Sequence, residues 1–490
     1  MNTVDIQNLS VHYGSKTVLE NISFNIEAGQ CLVIRGESGT GKTTLGKALA
    51  GKLNYTGQIS FSLDPHHPFS DTVLFVDSWY RFTNLEGDSN FYYQQRYNHQ
   101  QRRDTVTIGR ELEMFGKEHH LEEDHTPLSL GEGVGVRSNR LHQLLSAFDY
   151  YKVLDEQLFE ISSGEHKKLQ LIKALWLQPA MLVVDQPYTG LDTVSRGVLN
   201  KLLEAYTRSG GMLLLLSNDP ELPGHQVRKA TLMNRGITWG DSQPIHKMNL
   251  KPLPAFLKEP PQYTTTQLIN MKNVNVRYGE KQVLEGIYWQ VNAGDRWVLQ
   301  GHNGSGKSTL LSLITADHPQ AYANDISLFG VRRGGGESIW DIKKRMGLIS
   351  PELHWYFDPN ATVSQSLASG FFDANGQYQR LRYAQKQQLN ELLHFLNLYE
   401  VKDELLATQP LGMQRLALLG RTIIKNPQLL VLDEPCQGLD QQQTQYFNEL
   451  VDEISKNGVT IIYVGHFESQ LPSCLNHKLV LENGKVLSSH

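Results

Sequence analysis

The stretch Gly301-His302-Asn303-Gly304-Ser305-Gly306-Lys307-Ser308-Thr309 constrains this chain more than any other. It has the spacing Gly-x-x-x-x-Gly-Lys-Ser/Thr. Arg296–Gln300, just before it, is apolar enough for a buried strand, and Leu310–Ala316, just after it, is apolar and helix-favouring. A glycine-rich turn between a strand and a helix lets backbone N–H groups point inward at the positive end of the helix. That geometry cradles the β- and γ-phosphates of a nucleotide. Lys307 is then placed to reach the transferring phosphates, and the Ser308 hydroxyl to bind Mg²⁺. A plain glycine turn needs neither the Lys-Ser pair nor both flanks.

The pattern occurs a second time, as Gly36-Glu37-Ser38-Gly39-Thr40-Gly41-Lys42-Thr43-Thr44. Lys42 and Lys307 lie 265 residues apart, as do Tyr13 of Val-His-Tyr-Gly and Tyr278 of Val-Arg-Tyr-Gly. Later the spacing becomes 248, for Asp185 and Asp433 and for Asp192 and Asp440. Self-similarity at a fixed long period means one domain present twice. The first copy carries 17 more residues between its phosphate loop and its second acidic motif, the difference between those spacings. A length of 490 residues suits two domains. Residues 246–267 contain Pro252, Pro254, Pro260, Pro261 and a Thr triplet with little periodicity. They read as a semi-extended, proline-rich linker between a domain at 1–245 and another at 268–490.

Each half opens with alternating apolar residues, Val4, Ile6, Leu9 and Val11 and then Leu268, Met271, Val274 and Val276, which predict strands. Helical stretches at His166–Leu177 and Arg415–Ile424 each precede an apolar strand ending in Asp. The alternation predicts an α/β fold with a buried sheet and helices outside.

Charge and composition exclude some functions. Net charge is −5, so the whole-chain balance does not point to nucleic acid or an anionic membrane. The basic clusters Gln101–Arg103 and Lys343–Arg345 are short enough to be solvated helix faces. Cys31, Cys436 and Cys474 fit no disulfide framework or metal spacing and suit a reducing compartment. The opening residues show no charged leader followed by an apolar run. Apolar runs such as Met212–Leu216 fall far short of the about 20 residues a spanning helix needs. The expectation is a cytoplasmic protein that reaches the inner membrane only through a partner.

The acidic motifs supply the chemistry. Leu429–Leu432 ends in Asp433-Glu434-Pro435. A carboxylate at the end of a buried strand can reach the Mg²⁺ shell, and the next can polarise an attacking water. Ser308 and Asp433 are therefore assigned to the metal, Glu434 as general base, and Lys307 to the transferring phosphates. Thr43 and Asp185 are the metal pair of the first half. The strand Thr460–Val464 delivers His466, assigned to the γ-phosphate by its position among the other motifs; a lone histidine at a strand end is more often a surface residue. Ser162-Ser163-Gly164-Glu165 precedes a helix and suits either an anion site or a simple cap.

Together these residues resemble the ATP-binding cassette (ABC) ATPase family over nearly all of both halves. The resemblance rests on Tyr13 and Tyr278 as adenine-stacking aromatics, two Walker A loops, the Ser162–Glu165 signature and two Walker B strands. It also rests on the Gly190–Asp192 and Gly438–Asp440 turns and on His466. It implies two tandem P-loop nucleotide-binding domains, each with a mainly parallel sheet core plus antiparallel β and helical subdomains. It further implies Mg²⁺-dependent hydrolysis of ATP to ADP and phosphate. In that family two domains sandwich two ATP molecules, each between the phosphate loop and Walker B of one domain and the signature of the other. Phe91–Asn98, Ser338–Lys344 and Ser369–Asp373 are similar to the tandem ABC type associated by name with molybdate transport, or photorepair type. That resemblance implies, as partner, a membrane permease for molybdate or another small solute. Two other readings stay open: a soluble regulator acting on ribosomes or nucleic acid, and a tandem sugar-importer ATPase. The ribosome-acting type usually has a longer charged linker and a catalytic Glu in both halves.

The departures from the family pattern cluster. Gln186 stands where the second half has Glu434, and Asn218 where it has His466. Glutamine can hold a water but cannot take its proton, a loss of roughly 10²–10⁴ in rate. The second signature, placed by counting, reads Pro410-Leu411-Gly412-Met413, where proline removes a donor N–H and a hydroxyl. In the sandwich all three changes fall in the site built on Lys42. The expectation is one hydrolytic site, on Lys307, and one that binds ATP with little or no turnover. After the third strand the family usually has Gln; here stand Asp77-Ser78 and Pro351-Glu352.

Overall fold

A computed structural model describes residues 3–14, 16–37, 39–62, 70–78, 80, 106–121, 138–158, 161–219, 223, 227–240, 249–278, 281–350, 358, 360–373, 380–465 and 468–489. Ser38, Phe91–Asn98, Gln101–Arg103, Pro351-Glu352 and His466, named above, lie outside these residues. The described residues fall into two compact units, one within 1–245 and one within 246–490.

The first unit runs β1 (Thr3–Tyr13), β2 (Lys16–Glu27), β3 (Cys31–Arg35), α1 (Lys42–Leu49), β4 (Thr56–Ser62) and β5 (Ser70–Val76). It continues with α2 (Ile108–Glu118), α3 (Ser138–Ala147), α4 (Ser163–Leu177), β6 (Pro179–Asp185), α5 (Thr193–Arg208), β7 (Met212–Leu216), β8 (Val227–Met233) and β9 (Gly236–Trp239). One sheet has the order β5-β6-β7-β3-β8-β9 and is parallel except for the β8–β9 hairpin. Strands β2-β1-β4 form a separate antiparallel sheet. Every residue of β6 and β7 is buried, which is why both read as unbroken apolar runs rather than alternating ones.

The second unit begins with α6 (Ala255–Lys258), β10 (Gln267–Tyr278), β11 (Lys281–Asn292), β12 (Arg296–Gln300), α7 (Lys307–Ile314), β13 (Asp325–Leu328) and β14 (Val331–Arg332). Then come α8 (Ile339–Arg345), β15 (Met346–Ile349), α9 (Val363–Ala368), α10 (Tyr383–Phe395), α11 (Leu411–Ile423) and β16 (Leu429–Asp433). It closes with α12 (Gln441–Ser455), β17 (Thr460–Val464), β18 (His477–Glu482) and β19 (Lys485–Ser489). Its large sheet, β15-β16-β17-β12-β18-β19, repeats the first unit's order strand for strand, again with one antiparallel edge hairpin. Strands β11-β10-β13-β14 make the antiparallel sheet. Helices α9, α10 and α11 pack around Leu367, Leu393 and Leu419. A mainly parallel core with antiparallel and helical parts is thus present in the second unit, and the tandem α/β fold is as expected.

The proline-rich stretch does more than space two domains. Pro254 starts the short helix α6, and Leu253 and Leu257 are buried in the helical core of the second unit. Ala255 N donates to Glu391 Oε2 at 3.2 Å, Asn426 Nδ2 to Glu259 O at 3.1 Å, and Gln428 Nε2 to Gln262 O at 2.6 Å. Tyr263 Oη donates to Gly458 O at 2.7 Å. Leu253 and Leu257 lie four residues apart, so one short turn presents both to the same surface, with Phe256 packed beside them. No helix among the described residues is long and apolar enough to cross a membrane.

Candidate nucleotide sites

In each unit a buried strand runs into the glycine loop and the loop into a helix that starts at the lysine: β3 into α1 at Lys42, β12 into α7 at Lys307. The loops need their glycines. Gly36 (φ 150°) and Gly301 (φ 154°) lie so close to the next strand that a Cβ would sit 2.4 Å from Leu232 O and from Leu481 O, respectively. Gly41 (φ 104°) and Gly306 (φ 101°) occupy the helix N-cap in the left-handed region.

Each lysine is buried and folds back over its loop. Lys42 Nζ donates to Gly36 O and, at 2.8 Å, to Glu37 O. Lys307 Nζ donates to Gly301 O at 2.7 Å and His302 O at 3.0 Å. The remaining loop residues brace the turn: Thr40 Oγ1 donates to Glu37 O at 2.9 Å, and Ser305 N to His302 O at 3.2 Å. Gly39, Asn303, Gly304, Thr44 and Thr309 lie along the same two turns and first helical residues.

The two residues of the first unit that the sequence suggests for a metal meet. Thr43 Oγ1 donates to Asp185 Oδ2 at 2.7 Å, at the end of β6. Burial pushes the Asp185 carboxyl up, against the Thr43 hydrogen bond and the Lys167 ammonium, which pull it down. A hydroxyl beside one carboxylate suits Mg²⁺, which takes few protein ligands and fills its shell with phosphate oxygens and water. Ser308 and Asp433 hold the equivalent places at the start of α7 and the end of β16, Ser308 exposed and Asp433 half-buried.

The next residue in each unit adopts the same unusual backbone. Gln186 has φ 47° and Glu434 φ 44°, both left-handed. Gln186 N donates to Leu216 O at 3.0 Å, and Glu434 N to Val464 O at 3.2 Å. Non-glycine residues held in this region cost on the order of 1–3 kcal/mol and cluster at working sites. The two side chains leave the sheet from equivalent positions with different chemistry, amide in one and carboxylate in the other.

Asn218, the counterpart of His466, straps the first loop. Its Nδ2 donates to Gly36 O at 2.7 Å, and its Oδ1 accepts from Gly36 N at 2.9 Å.

Ser162 caps its helix. Ser162 Oγ accepts from Glu165 N at 3.3 Å, while Ser162 N and Oγ face Glu165 Oε2 at 2.7 and 2.9 Å. This reciprocal capping box starts α4, with Ser163 and Gly164 as its first helical residues. Helix α11 starts from Pro410 with no side-chain cap.

Two buried cations escaped the sequence reading. Lys167, on α4, donates to Asp77 O at 2.9 Å and Asp185 O at 3.1 Å, tying the signature helix to the acidic strand and to the loop after β5. Burial pushes its ammonium down to about 8. Arg415, on α11, is fully buried and donates from Nη2 to Gln437 O at 3.3 Å. Burial pushes its guanidinium down to about 10, with Cys436 and Glu434 pulling the other way. The signal was present: the two lie 248 residues apart, each two positions after the last signature residue.

The aromatic pair differs between units. Tyr13, at the end of β1, is 51% exposed. Tyr278, at the end of β10, is half-buried, and its Oη lies 2.8 Å from His318 Nε2.

The sequence matches a family model described as ABC transporter over residues 19–189 and 284–437. The ABC transporter ATP-binding protein ModF of Escherichia coli (strain K12) is 31% identical over 98% of this chain and 96% of its own length. An uncharacterized ABC transporter ATP-binding protein of Schizosaccharomyces pombe is 30% identical, covering 96% of each. Among solved structures, the archaeal ribosome recycling factor aABCE1, in complex with the ribosomal stalk protein aP1, is similar in fold. Its TM-score is 0.53 at 16% identity, over 98% of this chain and 89% of that one.

Proposed function

Because the chain belongs to the ABC transporter family and is an ATPase of that family, we propose that its two nucleotide sites are unequal, the one on Lys307 hydrolytic and the one on Lys42 retentive. The observation that carries this reading is the pair Gln186 and Glu434, alike in backbone and unlike in chemistry. At the second site Glu434 takes the proton of the attacking water as that water bonds to the γ-phosphorus and the bond from that phosphorus to the β–γ bridging oxygen breaks, releasing ADP and phosphate. Lys307 exchanges its two loop carbonyls for phosphate oxygens, and the loop N–H groups bind the β- and γ-phosphates. Ser308 and Asp433 hold Mg²⁺, which when bound neutralises charge on the β- and γ-phosphate oxygens. We assign His466 to the γ-phosphate by its sequence position among the other motifs, and Tyr278 to stacking on the base. The Lys42 site uses Tyr13, Thr43 and Asp185 but has Gln186 and Asn218, so nucleotide stays bound there.

The test is steady-state phosphate release by the full chain. Lys307→Ala and Glu434→Gln should abolish turnover, and Lys42→Ala should leave much of it. An intact rate in Glu434→Gln would refute the assignment.

For the partner, we propose a membrane permease for molybdate or another small solute; the full-length likeness to an ABC transporter ATP-binding protein supports the permease. The Glu434→Gln chain, loaded with ATP, should co-purify with an integral membrane subunit from detergent-solubilised membranes. Recovery with ribosomes instead would replace this partner.

A further inference from the structure

Tyr278 does not stand alone at its strand end. His318 follows the phosphate-loop helix α7, is 1% exposed, and is tied to that helix by its own N–H, which donates to Ser312 O at 3.2 Å. Its ring is oriented from both sides. Gln320 N donates to Nδ1 at 3.1 Å, so Nδ1 carries no proton. The neutral ring therefore carries its proton on Nε2, and Nε2–H donates to Tyr278 Oη, 2.8 Å away. The two rings are tilted by 53° with centroids 5.8 Å apart. Burial pushes the imidazole down to about 4, so this neutral arrangement holds at ordinary pH. The repeat supplies a natural comparison. The position 265 residues before His318 is Leu53, whose side chain has no donor, and Tyr13, 265 residues before Tyr278, is 51% exposed.

We propose that His318 is a positioning residue for the nucleotide base. Through Nε2–H···Oη it locks the Tyr278 ring to the phosphate-loop helix, so that base platform and phosphate cradle form one pre-set unit in the second domain alone. The proposal rests on the reading of Tyr278 as the base-stacking residue of the hydrolytic site. Pre-setting the ring removes an ordering cost from binding, so the Lys307 site gains purine nucleotide affinity that the Lys42 site lacks. The chemical step, carried by Glu434, is untouched.

The test uses the full chain and measures KM and kcat for ATP in wild type, His318→Leu, His318→Gln, Tyr278→Phe, Tyr278→Ala and the double variant His318→Leu/Tyr278→Phe. His318→Leu should raise KM about three- to tenfold, the worth of one hydrogen bond, with kcat within about twofold. His318→Gln, which keeps an N–H donor, should restore most of the loss. Tyr278→Phe keeps the ring but removes the acceptor, so adding His318→Leu to it should change KM no further. Two results overturn the proposal: a His318→Leu effect that persists in the Tyr278→Phe background, or a fall in melting temperature with KM unchanged. Tyr278→Ala separates the two levels. If it leaves KM unchanged, the base-stacking reading itself fails. If it raises KM while His318→Leu does not, only the positioning role fails.

Discussion

Gln186 and Glu434 occupy the same left-handed bend, φ 47° and 44°, each with its N–H bonded to the end of the neighbouring strand, at Leu216 O and Val464 O. The backbone cost is met twice, and a side chain able to take a proton is delivered once. Glu434→Gln should lower kcat by roughly 10²–10⁴. The reverse change, Gln186→Glu, should raise total turnover less than about twofold, because Asn218 still stands where the second half has His466. Phosphate release by the two variants checks both expectations.

The glycine at the mouth of the second loop gives a stability prediction. Gly301 has φ 154°, and a Cβ there would lie 2.4 Å from Leu481 O and 2.5 Å from Ser305 Oγ. Gly301→Ala should cost about 1–3 kcal/mol through strain and crowding. Gly197, exposed within α5, has open space around its Cβ position. Gly197→Ala should stabilise by about 0.5–1 kcal/mol through helix propensity. Opposite shifts in melting temperature are expected from the same chemical change.

His318 makes the stability of the second unit depend on pH. Its folded pKa is lowered from 6.5 to about 4 by burial, so between those values the unfolded chain binds more protons than the native one. Stability supplied by the neutral ring is present above pH 6.5 and is lost as pH falls towards 4, by up to about 3 kcal/mol. Protonating Nδ1 would also set two N–H groups against each other at Gln320 N. Urea titrations at pH 7 and 5 should show a smaller loss on acidification in His318→Leu than in wild type. An equal loss would place the titrating group elsewhere.

The stretch ahead of β10 is part of the second unit's core. Leu257 is 1% exposed among the residues of α9, α10 and α11. Leu257→Ala should cost about 2–5 kcal/mol. Differential scanning calorimetry should show the loss in the transition of the second unit, with the first unmoved. A residue in a free spacer would cost nothing.

What the sequence determined by itself was local and periodic. The glycine loops, the apolar strands ending in Asp185 and Asp433, and the 265- and 248-residue spacings follow from backbone sterics and burial, which leave their mark on neighbouring residues. They sufficed for the tandem α/β fold. The contacts between distant segments were decided by tertiary structure. Asn218 reaches Gly36 across 182 residues because β7 and β3 lie side by side in the sheet. Lys167 reaches Asp77 across 90, and His318 reaches Tyr278 across 40. A hydrogen bond between such residues depends on which strand ends the crossovers bring together, and single-residue propensities carry no trace of that. The same limit explains the proline-rich stretch. Its composition announced a break in periodicity, but only packing decided that Leu253 and Leu257 would be buried with the second unit rather than left in water.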